Sequence, residues 1–298
     1  MSGPDGGGAR SGPLRLGGRV FEASEPVVMA IVNRTPDSFY DPGATLQDEA
    51  ALERVDQAVR DGAGIVDIGG VKAGYGDYVS VDEELRRTAT FVGRVRERHP
   101  GVVISVDTWR AEVARELCRQ GADLLNDTWS GADPALMEVA AEYGVGLVCS
   151  HTGGVAPRTD PHRVAYDDVV ADVVARTTAL AARAVEAGVR PDGVVLDPTH
   201  DFGKNTWHSL EVTRRLDEVV ATGWPVMVAL SRKDFVGETL DLPVDQRLPG
   251  TLAATAVSAW HGARVFRAHD VAETRQALRM VAAIRGVAPP AVARRGLT

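Results

Sequence analysis

The chain has 298 residues, 44% hydrophobic and 25% charged, with a formal net charge of −8. That balance is the one expected of a globular protein in water, and the negative charge argues against broad binding to nucleic acid or to an anionic membrane surface. Its two cysteines, Cys118 and Cys149, stand in no zinc-ligand spacing and fit a reducing cytoplasm, and no apolar run approaches a membrane span.

In chain order, the glycine-rich opening MSGPDGGGARSGPLRLGG has no apolar centre, so residues 1–22 are expected to be a disordered leader and not a signal peptide. Eight apolar runs then follow, each ending in polar residues: VVMAIVN at Asn33, GIVDIGG around Asp67, VVISVDT at Asp107 and DLLNDTW at Asn126 and Asp127. GLVCSH ends at His151, GVVLDP at Asp197, VMVALSRK at Ser231 and Lys233, and RVFRAHD carries Arg267, His269 and Asp270. Short continuous apolar runs read as strands buried on both faces. Between them lie segments with helical spacing: Leu46–Asp61, Ser80–His99 with a capping box, Arg110–Gln120, Pro134–Tyr143, Tyr166–Ala187, Ser209–Ala221, Thr251–His261 and Val271–Arg285. Most stop at a glycine.

Strand then helix, eight times, predicts a single-domain α/β protein, a (β/α)8 barrel over residues 23–286, with a loose tail at 287–298. An open doubly wound sheet would carry a glycine-rich turn after its first strand, and Asn-Arg-Thr-Pro-Asp-Ser stands there instead. Barrel sites form at the C-terminal strand ends, so Asn33, Asp67, Asp107, Asn126, Asp197, Lys233, Arg267 and His269 are expected to share one cleft. Any one carboxylate could be a helix cap or an ion-pair partner, Asp67 and Asp127 included. Asp and Asn form strands poorly, so their recurrence at one level favours function. Carboxylates and amides suit the donor and acceptor edge of a flat heterocycle. Ser231, Arg232, Lys233, Arg267 and His269 suit an anion, and Asn33 and Asp37 offer oxygens for Mg²⁺. A Schiff-base Lys233, as in an aldolase, leaves Asp107, Asn126 and Asp197 without a shared purpose.

These motifs resemble the dihydropteroate synthase family. The resemblance rests on Ile31–Phe39, Asp67-Ile-Gly-Gly70, Ile104–Thr108, Gly121–Asp127, Asp197-Pro198 with Phe202-Gly-Lys204, Ser231–Gly237, Gly250-Thr251 and Arg267-Ala-His-Asp270, in the family's order. It implies joining of p-aminobenzoate to hydroxymethyl-dihydropterin diphosphate with release of diphosphate. Asp107, Asn126, Asp197 and Lys233 would hold the pterin, Phe202 would flank it, and Ser231 with Lys233 would lie near the aryl amine. Asn33 would bind Mg²⁺, Arg267 and His269 the diphosphate, and Asp107, Lys233 and Arg267 would carry the chemistry. A homodimer is implied as well.

Four departures stand out. Val71-Lys72-Ala73-Gly74 replaces the family's Glu-Ser-Thr-Arg-Pro-Gly loop, and Arg34 replaces a small apolar residue. Cys149–Gly154 replaces Met-His-Met, and Thr199-His-Asp201 replaces a Gly-Ile-Gly type sequence. The pterin and diphosphate side is therefore expected to persist while second-substrate use is impaired or altered. The alternatives are an inactive pterin-binding paralogue and a pterin-dependent methyltransferase of the same barrel family.

Overall fold

A computed structural model describes residues 12–34, 44–74, 76–159 and 164–295. Eight parallel strands form the wall of a barrel: β3 (Val27–Asn33), β4 (Ile65–Gly69), β5 (Val103–Asp107), β6 (Leu124–Asp127), β7 (Gly146–Ser150), β8 (Val194–Asp197), β9 (Met227–Ala229) and β10 (Val265–Ala268). Neighbours run β8-β7-β6-β5-β4-β3-β10-β9, and the ring closes where Leu196 of β8 bridges Val226, with the Leu196 N–H donating to the Pro225 carbonyl at 2.8 Å. Helices follow each strand: α1 (Ala44–Asp61), α2 (Val81–Arg98), α3 (Ala111–Arg119), α4 (Ala135–Tyr143), α5 (Val169–Glu186), α6 (Thr206–Arg214) with α7 (Leu216–Val220), α8 (Asp234–Leu240) with α9 (Leu248–His261), and α10 (Val271–Ile284).

Strand residues of alternate parity point to opposite faces. One parity, including Val28, Ile68, Ile104, Leu125, Leu147 and Phe266, packs outward against the helices. The other fills the barrel: Val27, Met29, Ile65, Val103, Leu124, Val148, Val195, Met227 and Val265 form a separate apolar layer at the N-terminal end. Continuing that inward parity toward the C-terminal end gives Asn33, Asp67, Asp107, Asn126, Asp197, Ser231, Arg267 and His269. The same alternation that builds the core thus aims the polar residues inward.

The leader expectation is corrected in its second half. Residues 12–22 are ordered, with β1 (Leu14–Leu16) and β2 (Arg19–Phe21) forming an antiparallel hairpin. Leu14, Leu16 and Phe21 are buried against the lower barrel layer. The physical reason is that the apolar N-terminal mouth would otherwise face water. Arg264 clamps the hairpin, donating to the carbonyls of Gly12 (2.6 Å), Phe21 (2.9 Å) and Glu22 (3.0 Å). Residues 1–11 lie outside the described residues. At the other end, residues 287–295 carry no helix or strand.

Helix boundaries also shift, with α6 starting at Thr206 and α9 at Leu248, and two of the shifts have a clear cause. Asp168, not Tyr166, starts α5, because its carboxylate accepts the N–H groups of Val170 and Ala171. The segment Ser209–Ala221 breaks at Arg215, whose guanidinium holds Asp168, Glu211 and Glu218. Helix α8 had no counterpart in the apolar pattern.

Candidate active site

Register sets the rows. Asn33 pairs with Gly69, Gly69 with Asp107, and Asp107 with Asn126, so these positions lie side by side at one level. Gly69 lies beside Asp107, where a side-chain carbon would meet the Asp107 Cβ in ordinary contact at 3.4 Å. One level lower, Asp67 is fully buried. It accepts hydrogen bonds from Ser105 Oγ (2.6 Å), Asn126 Nδ2 (3.2 Å) and Arg267 Nε (2.6 Å). Arg267 also donates through Nη2 to Asp107 (2.9 Å), whose other oxygen accepts from Thr128 Oγ1 (2.9 Å).

Asp67 is therefore the anchor of the floor. It orients both Asn126 and Arg267, and its ion-pair reading from the sequence is the one realised. Ser105 and Thr128 belong to the same network and carried no motif signal of their own. Burial opposes the charge on Arg267, but the carboxylates of Asp67 and Asp107 outweigh it and hold the guanidinium above its ordinary range. Burial pushes Asp107 up to about 7, against the pull of Arg267 and with the repulsion of Asp67.

On the opposite wall, buried Asp197 accepts the Thr199 N–H at 2.7 Å. Burial raises its pKa, against the nearby ammonium of Lys233. Burial lowers Lys233, against Asp201 and Asp197. The Lys233 Nζ donates to the His200 carbonyl and stands 4.9 Å from the Phe202 ring centre. Phe202 in turn meets Trp129 edge-on at 5.5 Å. Ser231 Oγ accepts the His269 N–H at 3.2 Å. Partial desolvation at the mouth, then Arg267, pushes the solvent-exposed His269 imidazole down.

Asp127 and Arg232, read from the sequence as strand-end residues, turn away from the cleft, and so does the substituted Arg34 of the first loop. Asp127 has outward parity and accepts the N–H groups of Trp129 (3.0 Å) and Gly131 (2.6 Å), holding the turn after β6 instead of capping a helix. Arg34 packs on Phe91, 4.6 Å from its ring centre, and pairs with Asp48. Arg232 pairs with Asp270. Asp37 and the rest of the first-loop motif beyond Arg34 lie outside the described residues.

The altered loops are tied down. Arg158, from the loop after β7, donates to the Gly74 carbonyl at 3.3 Å and to the Asp77 carbonyl, so the loop after β4 is held from across the mouth. Lys72 is exposed. After β8, Thr199 (φ 52°) and Asp201 (φ 70°) adopt left-handed backbone, which costs non-glycine residues about 1–2 kcal/mol each. That geometry explains why a glycine-rich sequence suits this turn. Side-chain bonds hold it here instead. Asp201 accepts the N–H groups of Asp234 (2.7 Å) and Phe235 (3.3 Å) at the start of α8, and Thr199 Oγ1 accepts the His151 N–H at 3.1 Å.

An inward-facing polar constellation at the strand ends of a (β/α)8 barrel is the plan of the pterin-binding enzymes, and the chain belongs to that family: a family model described as pterin binding enzyme matches residues 29–269. Within the family it is similar to dihydropteroate synthases. It is 58% identical over 286 residues to a Mycobacterium leprae (strain TN) protein named inactive dihydropteroate synthase 2, covering 95% of this chain and 98% of that one. It is 38% identical over 267 residues to the dihydropteroate synthase of Escherichia coli (strain K12), covering 89% and 94%. The structure of Xanthomonas albilineans dihydropteroate synthase with 4-aminobenzoic acid superposes with a TM-score of 0.85 at 35% identity, over 93% of this chain and 100% of that one. The chain thus has the dihydropteroate synthase fold, and its relatives include both synthases and proteins named as inactive second copies.

Proposed function

We propose that this protein binds hydroxymethyl-dihydropterin diphosphate with Mg²⁺ at its strand ends and has lost efficient coupling to p-aminobenzoate. The observation that carries the reading is the contrast between two walls of one cleft. Asp107, Asn126, Asp197 and Arg267 converge on inward parity, with Lys233 beside them at the start of α8, whereas the loop at Val71–Gly74 is held by Arg158 and presents no guanidinium of its own. Relatives that are 56% to 58% identical and named inactive support the second half. Lysine at position 72 is no substitute for a planar fork on an anion.

The division of labour follows from donors and acceptors. The carboxylates of Asp107 and Asp197 would accept the N–H edge of the pterin, and Asn126, fixed by Asp67, would complete that edge. Phe202, between Lys233 and Trp129, would cover one face of the ring. Arg267 and His269 would face the diphosphate, and Ser231 would border the amine side. In an active synthase the carboxylate of Asp107 would also stabilise positive charge on the exocyclic methylene.

Mg²⁺ fits this donor set as a shared ion. The Asn33 side chain makes no hydrogen bond among the described residues, and no three His, Cys, Asp or Glu side chains gather into a metal cage there. Mg²⁺ commonly takes one or two protein oxygens and completes its shell with phosphate and water. When bound, it would neutralise charge on the diphosphate.

A second copy is proposed to pack on α9 and α10, where Val257, Trp260, Met280 and Ile284 are 44%, 55%, 61% and 61% exposed. The functional reading is tested by titrating the purified protein with the pterin diphosphate and Mg²⁺, then adding p-aminobenzoate and measuring dihydropteroate. Binding with little or no product is expected. Failure to bind the pterin diphosphate contradicts the reading.

A further inference from the structure

Lys204 is 7% exposed and lies at the junction of the loops after β7 and β8. Its Nζ donates to the carbonyls of His151 (3.0 Å), Phe202 (3.1 Å) and Thr199 (3.2 Å) and stands 2.7 Å from His151 Nδ1. An ammonium has no acceptor, so Nδ1 must accept and the imidazole proton sits on Nε2. That proton faces Asp172 Oδ1 at 2.7 Å, which also accepts from Arg176 Nε at 2.8 Å. A proton-carrying chain thus runs from the buried lysine through His151 to an exposed arginine.

The lysine holds more than itself. The segment it grips supplies Thr199, bonded to Asp197, the His200 carbonyl that receives Lys233, and Phe202 under the Lys233 ammonium. The Gly203 carbonyl in the same segment accepts Tyr166 OH at 2.5 Å, and Gly203 packs so tightly that a side-chain carbon there would fall 2.1 Å from the Thr152 carbonyl oxygen. Four acceptors around one nitrogen require all three ammonium protons.

We propose that Lys204 is a positioning residue of the strand-end site, fixing the segment Thr199–Lys204 and with it Phe202 and the carbonyl that receives Lys233, and that it does so only while it carries its proton. Its effect on ligand rests on the pterin reading, but its effect on the loop does not.

The charged groups around it are mixed. Burial is the main influence and lowers Lys204 to about 7, with Asp197, Asp172 and Asp201 opposing and Lys233 assisting. Burial and Lys204 together push His151 down to about 4, so His151 stays neutral while Lys204 changes charge. Burial and Lys204 also depress His208, and burial with Lys233 and Lys204 depresses His200. These histidines are therefore not the groups that change near pH 7. Asp107 does change there, but in the opposite functional sense: it gains the charge that would bind a pterin as pH rises.

The first test reads the loop directly, in the full-length parent protein with ¹⁵N-labelled histidine. His151, identified by loss of its signals in His151→Gln, is expected to stay neutral with the proton on Nε2, and its Nδ1 resonance is expected to shift with a midpoint near pH 7. A flat Nδ1 signal between about pH 6 and pH 9 overturns the proposal. The second test is calorimetry with the pterin diphosphate and Mg²⁺. Lys204→Met should bind about tenfold more weakly below pH 7, the size of one lost charge-assisted hydrogen bond, and should lack the alkaline fall in affinity expected of the parent. Equal affinity and an unchanged pH profile in Lys204→Met overturn it. If the parent shows the His151 midpoint but binds no pterin, the pterin reading fails while the loop assignment stands.

Discussion

At the scale of single residues, a buried charge network underlies the strand-end site, and its members differ in what they support. Asp67 is itself fully buried, yet it orients Asn126 and Arg267, the groups that would meet a ligand. Asp67→Asn should cost about 3 kcal/mol, the typical penalty for unpairing a buried ion pair, read as a lower urea midpoint at unchanged slope. Asp107 is different. Its folded-state pKa is raised to about 7, so its contribution to stability is full below its ordinary 3.8 and is lost as pH rises through 7. Its contribution to binding has the opposite sign, because the carboxylate exists only above that range. Pterin affinity should therefore rise between about pH 6 and pH 7 in the parent and be weak and flat over that acid limb in Asp107→Asn, by calorimetry. Lys233→Ala should abolish pterin binding. An unchanged affinity would remove Lys233 from the site.

At the scale of elements, the sequence was most readable where one rule acts alone. The inward parity of Asp107, Asn126, Asp197 and Arg267 follows from alternation along buried strands, and glycine stops such as Gly121 (φ 104°) and Gly262 (φ 103°) ended the helices as expected. What stayed hidden depends on partners distant in sequence. The hairpin of β1 and β2 has three-residue strands in a glycine-rich setting, and only the open barrel end explains why Leu14, Leu16 and Phe21 are buried. Arg34 was read only as a replacement for a small apolar residue, and its partners Asp48 and Phe91 come from two helices that the sequence does not place beside it. Lys204 and His151 each stood in a sequence motif, but their contact stayed hidden because it arises from two loops meeting. The hairpin supports a prediction: Leu16→Ala should cost about 3 kcal/mol through lost burial and a cavity, while leaving pterin affinity unchanged. Loss of affinity in that variant would mean that the lower layer of the barrel and the site are coupled.

At the scale of the whole molecule, one end of the barrel is sealed and the other carries the polar groups. The separation explains how the chain can share a fold with active synthases and still have rebuilt loops, since the loops after β4 and β8 change without disturbing either apolar layer. Pairing through α9 and α10 is expected to be lost in Trp260→Glu, giving a monomer by sedimentation, whereas a parent that is itself monomeric would refute that face as a dimer surface. The central claim is that the pterin side is kept and the coupling is not. It is tested most directly by one experiment: titrating the purified protein with hydroxymethyl-dihydropterin diphosphate and Mg²⁺, then measuring dihydropteroate after adding p-aminobenzoate. The account predicts saturable pterin binding with product formation far below the roughly 1–1000 per second typical of enzymes. Turnover within that range, or no pterin binding at all, would contradict it.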